Sequence, residues 1–208
     1  MATSRSVGSM TVDRHVGPPS HVSTLMATAL PYPTELMHDI RLPGGAEVHI
    51  RPARAADEPE LLALFHRLSA RSRYQRFFSF IQRLPRRWLQ QFANVDYRER
   101  LALVAECPSG ATLELVAAAR YEPAGMPHRQ EIAVVVDDRW QAKGLGTILL
   151  DDLLRAGEAR GVTKFRAFML VDNARMLALI ARLGTVIARS TEQGMVEVLF
   201  TRARRASV

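Results

Sequence analysis

The pattern of hydrophobic and polar residues becomes regular at "EVHIRPA", residues 47–53, where Val48 and Ile50 alternate with polar neighbours as in a strand. A helix is predicted next, because Asp57 and Glu60 have the spacing of a capping box. Apolar residues continue this helix at helical spacing: Leu61, Leu64, Phe65 and Leu68. The segment "LPRRWLQQFANV", residues 84–95, predicts a second short helix.

Three apolar segments then follow one another closely and predict three strands. They are "RLALVAE" (100–106), "LELVAAARY" (113–121) and "EIAVVVD" (131–137). The links between them, "CPSGAT" and "EPAGMPHRQ", are short and contain glycine and proline, as turns do. Links of this length favour an antiparallel meander.

The last third of the chain alternates between helical and strand patterns. An apolar stripe after Gly146 predicts a helix that Gly161 ends, and "TKFRAFMLV" (163–171) then predicts a strand. Asp172 or Asn173 caps a helix that stops at Gly184, and "TVIARS" with "MVEVLFT" predicts a closing hairpin. The elements together predict a mixed sheet with helices on its faces.

Length and composition suggest one folded domain with an N-terminal tail. Residues 1–45 of the 208 are rich in Ser, Thr, Pro and Gly, which predicts a flexible extension followed by a domain over residues 46–208. No apolar run approaches the roughly 20 residues that span a bilayer, so no membrane partner is expected. The single cysteine, Cys107, excludes an internal disulfide and fits a reducing, cytoplasmic location.

The net charge of +7 is concentrated in one part of the chain. Residues 61–95 contain no acidic residue but seven arginines: Arg67, Arg71, Arg73, Arg76, Arg83, Arg86 and Arg87. Nearby aromatic residues such as Tyr74 and Trp88 would suit nucleic-acid binding. A solvated helical face with its aromatic residues in the core explains the same pattern, so a nucleic-acid partner is not expected.

The segment "VVVDDRWQAKGLGTILL", residues 134–150, changes from strand to helical periodicity across a loop with Gly144 and Gly146. A helix start carries unpaired N–H groups and positive partial charge, and glycines allow phosphate oxygens to come close. A Walker loop is excluded because Lys143 precedes Gly144, and Leu149 replaces the third glycine of the dinucleotide fingerprint. A tight turn without a ligand remains an alternative on these two glycines alone.

Two motifs resolve this alternative, because the segment resembles the acyl-CoA-binding motif of the GNAT acetyltransferases. That motif, Gln/Arg-x-x-Gly-x-Gly/Ala after a long strand, is matched by Gln141, Gly144 and Gly146, and Asn173 matches the family's Asn at the start of the next helix. The resemblance implies an α/β (α+β) fold with a GNAT-like mixed, mostly antiparallel sheet flanked by helices, around a central strand–glycine loop–helix unit.

The same resemblance implies acetyl-CoA as the co-substrate and predicts the residues that bind it. The strand would pair with the pantetheine arm through its last residues, and Asn173 would bond the pantetheine or orient the thioester, although a plain helix cap is the alternative for Asn173. The predicted cofactor-binding residues are Val134, Val135, Val136, Gln141, Ala142, Lys143, Gly144, Leu145, Gly146, Thr147 and Asn173.

Within this family the chain looks most like the catalytic domain of bacterial Pat-type protein lysine acetyltransferases. The resemblance is carried by "RFFSFIQRLP", "DYRERLALVAE" and "EIAVVVDDRWQAKGLG". It implies transfer of acetyl to lysine side chains of proteins, such as acyl-CoA synthetases, with Glu131 as the general base. The basic segment suggests that acidic residues surround the target lysine.

The sequence leaves three alternatives for the function open, and it predicts that no metal is bound. The acceptor could instead be a small amine, or the domain could sense acyl-CoA or bind nucleic acid without catalysis. Many relatives have a tyrosine in the helix after Asn173 that protonates the thiolate. This helix has no tyrosine here, so the general acid is left unassigned. The six histidines are scattered or lie in the extension, so no metal is expected.

Overall fold

The computed structural model describes residues 30–110 and 112–203. In this part of the chain eight strands form one sheet with the order β1-β2-β3-β4-β5-β6-β8-β7. The strands are β1 His38–Arg41, β2 Glu47–Pro52, β3 Leu101–Ser109, β4 Thr112–Pro123, β5 Arg129–Val136, β6 Lys164–Leu170, β7 Gly184–Glu192 and β8 Met195–Arg202. The α-helices are α1 Glu58–Arg67, α2 Ala70–Phe77, α3 Arg86–Ala93, α4 Leu145–Ala159 and α5 Ala174–Leu183.

The sheet is antiparallel except where β5 pairs with β6 in parallel, as a strand–helix–strand unit requires. Helices α4 and α5 cover one face, and the leucine stripe predicted for α4 is fully buried there: Leu149, Leu150, Leu153 and Leu154. Helices α1, α2 and α3 cover the other face over β3 and β4, where Phe65, Phe77 and Trp88 form a second core. The predicted mixed, mostly antiparallel fold with flanking helices is confirmed.

One interruption of the sheet matters for the site. Strand β5 pairs with β6 only from Arg129 to Ile132, opposite Lys164 to Ala167. Both strands continue beyond this point, β5 to Val136 and β6 to Leu170, but the ladder between them does not. We call the space between residues 133–136 of β5 and residues 168–170 of β6 the β5–β6 gap.

The sheet begins earlier than the sequence predicts, because β1 lies within the segment interpreted as an extension. Strand β1 pairs antiparallel with β2, so the predicted boundary at residue 46 falls inside a hairpin. Three of the four residues of β1 are exposed, and they show no apolar alternation from which a strand could be recognised. The rest of the predicted extension, residues 1–29, lies outside the described residues.

Asp57 is the N-cap residue of α1, as predicted, but the predicted capping box is wrong because the Asp57 side chain makes no bond to the helix. The Asp57 carboxylate accepts two hydrogen bonds from the Arg51 guanidinium at 2.8 Å, and it accepts one from the Arg54 backbone N–H rather than from α1. Arg51 also bonds Glu106 on β3 at 3.0 Å, so one buried arginine joins two carboxylates. Burial alone would lower the pKa of Arg51, but these bonds outweigh burial and raise it.

Candidate active site

Glu131 lies on β5, one residue before the last residue of β5 that pairs with β6. The register places Glu131 opposite Arg166 on β6 and opposite Glu122 on β4. Arg166 donates a hydrogen bond to Glu131 Oε2 at 2.9 Å, and 32% of the Glu131 side chain is exposed. Among the described residues, none donates a hydrogen bond to Glu131 Oε1. The predicted base therefore has one oxygen held in place and the other available.

The side chains of β5 alternate between the two faces of the sheet. Ala133 and Val135 face helices α1–α3, as does Glu131, whereas Val134 and Val136 pack on the α4 side. This alternation puts Glu131 on the face of the sheet opposite to the glycine-loop helix α4.

The backbone groups of β5 also alternate, and this decides which valines can reach a ligand in the gap. The Asp137 N–H donates to the Val116 carbonyl of β4 at 2.9 Å. Because backbone groups point alternately to the two sides of a strand, those of Val135 point at β4, and those of Val134 and Val136 point into the gap. Of the three predicted valines, Val134 and Val136 have the orientation that backbone pairing needs.

The glycine loop presents a row of backbone donors at the start of α4. Gly144 has φ +87°, in the region that favours glycine, and Ala142 also has a positive φ. Within the described part of the chain, no group accepts a hydrogen bond from the N–H groups of residues 142–146. These N–H groups and the helix start together form a site suited to a phosphate group.

Close packing at Gly146 brings this donor row against β5. A Cβ atom added at Gly146 would lie 3.3 Å from a methyl carbon of Val136, so any side chain there would crowd the strand. Leu145 is fully buried and can contribute only its backbone to a ligand, whereas Lys143 lies over the Trp140 ring at 5.2 Å. Thr147 lies in the first turn of α4, and its N–H bonds the Gly144 carbonyl at 3.0 Å.

Two aspartates tie the strand end before this loop to helices α1 and α2. The fully buried Asp137 accepts hydrogen bonds from Arg67 and Arg139. Burial raises the pKa of Asp137, but the bonds from Arg139 and Arg67 outweigh burial and hold its pKa below the usual value. Asp138 accepts bonds from the Ser69 N–H at 2.9 Å and from the Ser72 hydroxyl at 2.8 Å.

Gln141 continues this network rather than facing the donor row. Its Nε2 donates to Ser72 Oγ at 3.1 Å and to the Val136 carbonyl at 3.0 Å, and its Oε1 accepts from Arg175 at 2.8 Å. Both polar atoms of the amide are thus used within the protein. The motif glutamine acts here by positioning the loop relative to β5, α2 and α5.

Asn173 is the N-cap of α5, as predicted. Its Oδ1 accepts a hydrogen bond from the Met176 N–H at 3.1 Å. Its Nδ2 group bonds no described residue, so it can donate to a ligand, and Oδ1 keeps one lone pair.

Three charged residues near Glu131 were not identified from the sequence. Glu122 faces Glu131 across β4 and β5, and Arg120 binds Glu122 at 2.8 Å. Arg166 is the partner of Glu131 on β6. Arg120 and Arg166 belong to segments correctly predicted as strands, whereas Glu122 belongs to a segment predicted as a turn, and β4 extends through it. Only the register between strands brings the three residues to one place, and the sequence does not contain that register.

No helix among the described residues has both the length and the apolar character to cross a membrane. No group of three or more His, Cys, Asp or Glu side chains in residues 30–110 and 112–203 is arranged to hold a metal ion.

Two proteins with similar sequences are named acetyltransferases. The chain is 30% identical to the acetyltransferase PA5475 of Pseudomonas aeruginosa over 138 residues. The matched segment covers 66% of this chain and 73% of PA5475. It is 30% identical over 146 residues to the acetyltransferase Pat of Mycolicibacterium smegmatis, 70% of this chain but only 43% of Pat. The chain thus spans less than half the length of Pat.

Solved structures agree with these sequence matches. The GNAT domain of S. lividans PAT superposes with a TM-score of 0.73 at 29% identity, over 82% of this chain and 99% of that domain. The yncA structure from Salmonella typhimurium, which contains acetyl-CoA, shares the fold with a TM-score of 0.58 at 18% identity, over 77% of this chain and 96% of that one. The family described as acetyltransferase (GNAT) matches residues 67–185, and the chain therefore belongs to the GNAT acetyltransferases, enzymes that use acetyl-CoA.

Proposed function

We propose that this acetyltransferase transfers the acetyl group of acetyl-CoA directly to lysine side chains of proteins, with Glu131 as the base. The observation that carries the proposal is the position of Glu131, at the point where β5 and β6 cease to pair. Its Oε1 is available there, and Arg166 holds the other carboxylate oxygen. A carboxylate beside the open end of the donor site is where a base must act on an incoming amine.

The donor would occupy the β5–β6 gap and the start of α4. Pantetheine would pair with Val134 and Val136 as an added strand does, and the Asn173 Nδ2 could donate to the same arm. The pyrophosphate would accept bonds from the N–H groups of residues 142–146, with Lys143 and Thr147 beside it. The helix dipole adds only about 0.3–1 kcal/mol per charge, so the backbone bonds would supply most of the affinity.

The reaction needs a neutral amine, because the lysine ammonium in water has a pKa near 10.4 and no free electron pair. Glu131 would take one proton from the lysine ammonium, and the neutral nitrogen would then attack the thioester carbonyl carbon and release its second proton. The C–N bond forms, the C–S bond breaks, and coenzyme A leaves as a thiolate that then takes up a proton. Arg166 would keep the Glu131 carboxylate oriented during the transfer.

A protein acceptor is supported by the resemblance to the Pat-type acetyltransferases and by the charge of the α2–α3 region. Arg83, Arg86 and Arg87 are all exposed there. A small cationic amine would be repelled by this surface, whereas an acidic patch around a lysine would be attracted to it.

A labelled-acetyl assay tests this proposal. Purified protein is incubated with labelled acetyl-CoA and a lysate, and mass spectrometry identifies the labelled sites, with Glu131→Gln as the control. Labelled lysine side chains that require Glu131 are expected. Labelling confined to small amines would overturn the protein acceptor, and equal labelling by Glu131→Gln would overturn the base.

A further inference from the structure

A cavity lies between the sheet and helices α1–α3, on the face that carries Glu131. Ala133 and Val135 of β5 line it from the sheet, and they are the residues that follow Glu131 on this face beside the β5–β6 gap. Helix α1 closes it with apolar side chains, among them Leu64 and Phe65. An acyl group attached to a thioester near Glu131 would therefore face this cavity.

The cavity is larger than an acetyl group needs. Its volume is about 50 Å³, and a water-sized group occupies about 10–15 Å³ on this scale, so roughly three to five such groups fit. Small residues create the space on the sheet side, where Ala118 of β4 lies opposite Val135 of β5. Beyond its carbonyl carbon, acetyl has only a methyl group, whereas a four-carbon acyl chain would fill the cavity.

Two arginines line the same cavity, and they give it a positive charge. The Arg76 guanidinium lies 5.0 Å from the Phe77 ring centre and 5.5 Å from the Phe92 ring centre. In the described part of the chain, no carboxylate lies within ion-pair distance of Arg76. The Arg120 guanidinium lies 4.3 Å from the Phe92 ring centre, and its buried Nε has no hydrogen-bond partner among the described residues.

Partly buried charge without a partner is unfavourable, and this arrangement therefore indicates an anion. Burial, and after it the nearby charge of Arg120, lower the pKa of Arg76 to about 9, although the charges of Glu122 and Glu131 act in the opposite direction. Glu122 pairs with Arg120, and Glu131 pairs with Arg166, so neither carboxylate neutralises Arg76.

We propose that this cavity binds an acyl chain that ends in a carboxylate, so that succinyl-CoA serves as a donor beside acetyl-CoA. The inference rests on the donor position given in the proposed function. The two methylene groups of succinyl would contact Ala133 and the α1 side chains. Its terminal carboxylate would accept hydrogen bonds from Arg76 and from the unpartnered Nε of Arg120.

The transfer step is the same for both donors. Glu131 takes one proton from the lysine ammonium, the neutral nitrogen bonds to the thioester carbonyl carbon and releases its second proton, the C–S bond breaks, and coenzyme A leaves as a thiolate and is then protonated. Succinyl transfer would change a lysine from one positive charge to one negative charge, whereas acetyl transfer only neutralises it.

Calorimetry with four ligands tests the inference: coenzyme A, acetyl-CoA, butyryl-CoA and succinyl-CoA. Butyryl and succinyl have the same chain length, and a methyl group in one replaces the carboxylate of the other. The wild type should bind succinyl-CoA at least about tenfold more tightly than butyryl-CoA, as expected for charge-assisted hydrogen bonds. In Arg76→Met this ratio should fall to about one, and Arg76→Lys should keep part of it.

Arg71→Met provides the control, because Arg71 lies on the same helix and is exposed. It should keep the wild-type ratio of succinyl-CoA to butyryl-CoA affinity. Equal binding of these two ligands by the wild type would overturn the inference, while tight binding of acetyl-CoA would still support the proposed donor site. Equal loss of both ligands in Arg76→Met and Arg76→Lys would assign Arg76 a structural role. Failure of all four ligands to bind the wild type would instead overturn the proposed donor site.

Discussion

At the scale of single residues, the chemistry of the site depends on how Glu131 is held. Arg166 occupies one carboxylate oxygen, and Arg166 itself packs over the Phe168 ring at 4.8 Å. The proposed base is therefore oriented by a residue on the neighbouring strand, at the last part of the β5–β6 ladder. A general base needs this kind of fixed position before its proton affinity matters.

Glu131→Gln should bind acetyl-CoA normally but lose about 10²–10⁴-fold in turnover near neutral pH. The loss should shrink as the pH rises, because a growing fraction of the lysine amine is then neutral without a base. Steady-state kinetics over a range of pH, with acetyl-CoA affinity measured separately by calorimetry, would show both effects.

Glu197→Gln is the matched control, since Glu197 lies 3.9 Å from Arg166 on the other side and is 38% exposed. It removes the same charge without removing the base, so turnover should stay within about threefold of the wild type. Equal losses in the two variants would mean that the charge around Arg166, and not proton transfer, explains the effect.

At the scale of elements, the strand β5, the glycine loop and helix α4 act as one unit. Gly146 brings the helix start against Val136, and Asp138 joins the loop to Ser69 and Ser72 at the beginning of α2. The position of the N–H groups of residues 142–146 therefore depends on packing and on hydrogen bonds from a distant segment.

Gly146→Val should abolish measurable acetyl-CoA binding, because its side chain crowds the N–H groups at the helix start. The same side chain would press on Val136, and overpacking of this kind costs about 1–3 kcal/mol of unfolding free energy. Calorimetry on the folded variant measures the affinity, and Ala159→Val, at the exposed end of the same helix, is the control. Unchanged acetyl-CoA affinity in folded Gly146→Val would remove the loop from the donor site.

Asp138→Asn should lower the unfolding free energy by about 1–3 kcal/mol at neutral pH, because the asparagine amide cannot accept all three serine hydrogen bonds. Burial raises the pKa of Asp138, but the bonds from Ser69 and Ser72 outweigh burial and lower it. A carboxyl with a lowered folded-state pKa stabilises the protein above its unfolded value, near 3.9, and loses this effect as the pH falls further.

Urea unfolding at several pH values measures this difference between Asp138→Asn and the wild type. The difference should shrink once the pH falls below about 4. The exposed Asp172 offers a control, since Asp172→Asn should change the unfolding free energy little at any pH. A difference that stays constant with pH would show that the ionised form of Asp138 contributes nothing.

Most of the elements that the sequence predicted correctly have side chains in the core, whereas β7 was predicted correctly although it is largely exposed. The leucine stripe of α4 and the apolar residues of β3, β4 and β5 produce clear periodicity. Helix α2, "ARSRYQRF", was not predicted, because it has few apolar positions. Its N-cap, Ser69, is a helix-start signal that was not recognised. The role of the Asp57 side chain was misinterpreted because it binds Arg51. Arg51 also binds Glu106, and these three side chains meet only in the folded sheet.

The site shows the same limit. The glycine loop and Glu131 lie in one continuous segment, and both were predicted as site residues from motifs. Arg76, Arg120 and Arg166 come from three separate elements, and their proximity depends on strand register and helix packing. The seven arginines were interpreted as one solvated face, but Arg67 binds Asp137 and Glu114, and Arg76 lines a cavity.

At the scale of the whole molecule, the remaining exposed arginines make one side of the enzyme positive. Reversing Arg83, Arg86 and Arg87 together to glutamate should raise the Michaelis constant for an acidic protein acceptor and leave acetyl-CoA affinity nearly unchanged. A single exposed ion pair contributes only about 0–1 kcal/mol to the binding free energy, so reversing one arginine alone should change the Michaelis constant little. Added salt should mimic the triple variant, since screening acts over about 8 Å at physiological ionic strength.

The control reverses Arg182 and Arg189, which are exposed on α5 and β7. This variant should keep the wild-type Michaelis constant for the protein acceptor, as measured by steady-state kinetics at low salt. Unchanged kinetics in the triple variant would mean that the arginines of the α2–α3 region serve only solubility.

The short ladder between β5 and β6 has a consequence for the lifetime of the protein. Four residue pairs join strand β5 to strand β6, whereas seven join β4 to β5 and six join β6 to β8. An acyl-CoA molecule bound in the β5–β6 gap would contact the parts of both strands that have no partner strand there. Binding at a free concentration 100 times the dissociation constant stabilises a folded protein by about 2.7 kcal/mol. The amount of enzyme that survives proteolysis would then follow the supply of acyl-CoA, and so its abundance would depend on the concentration of its own co-substrate.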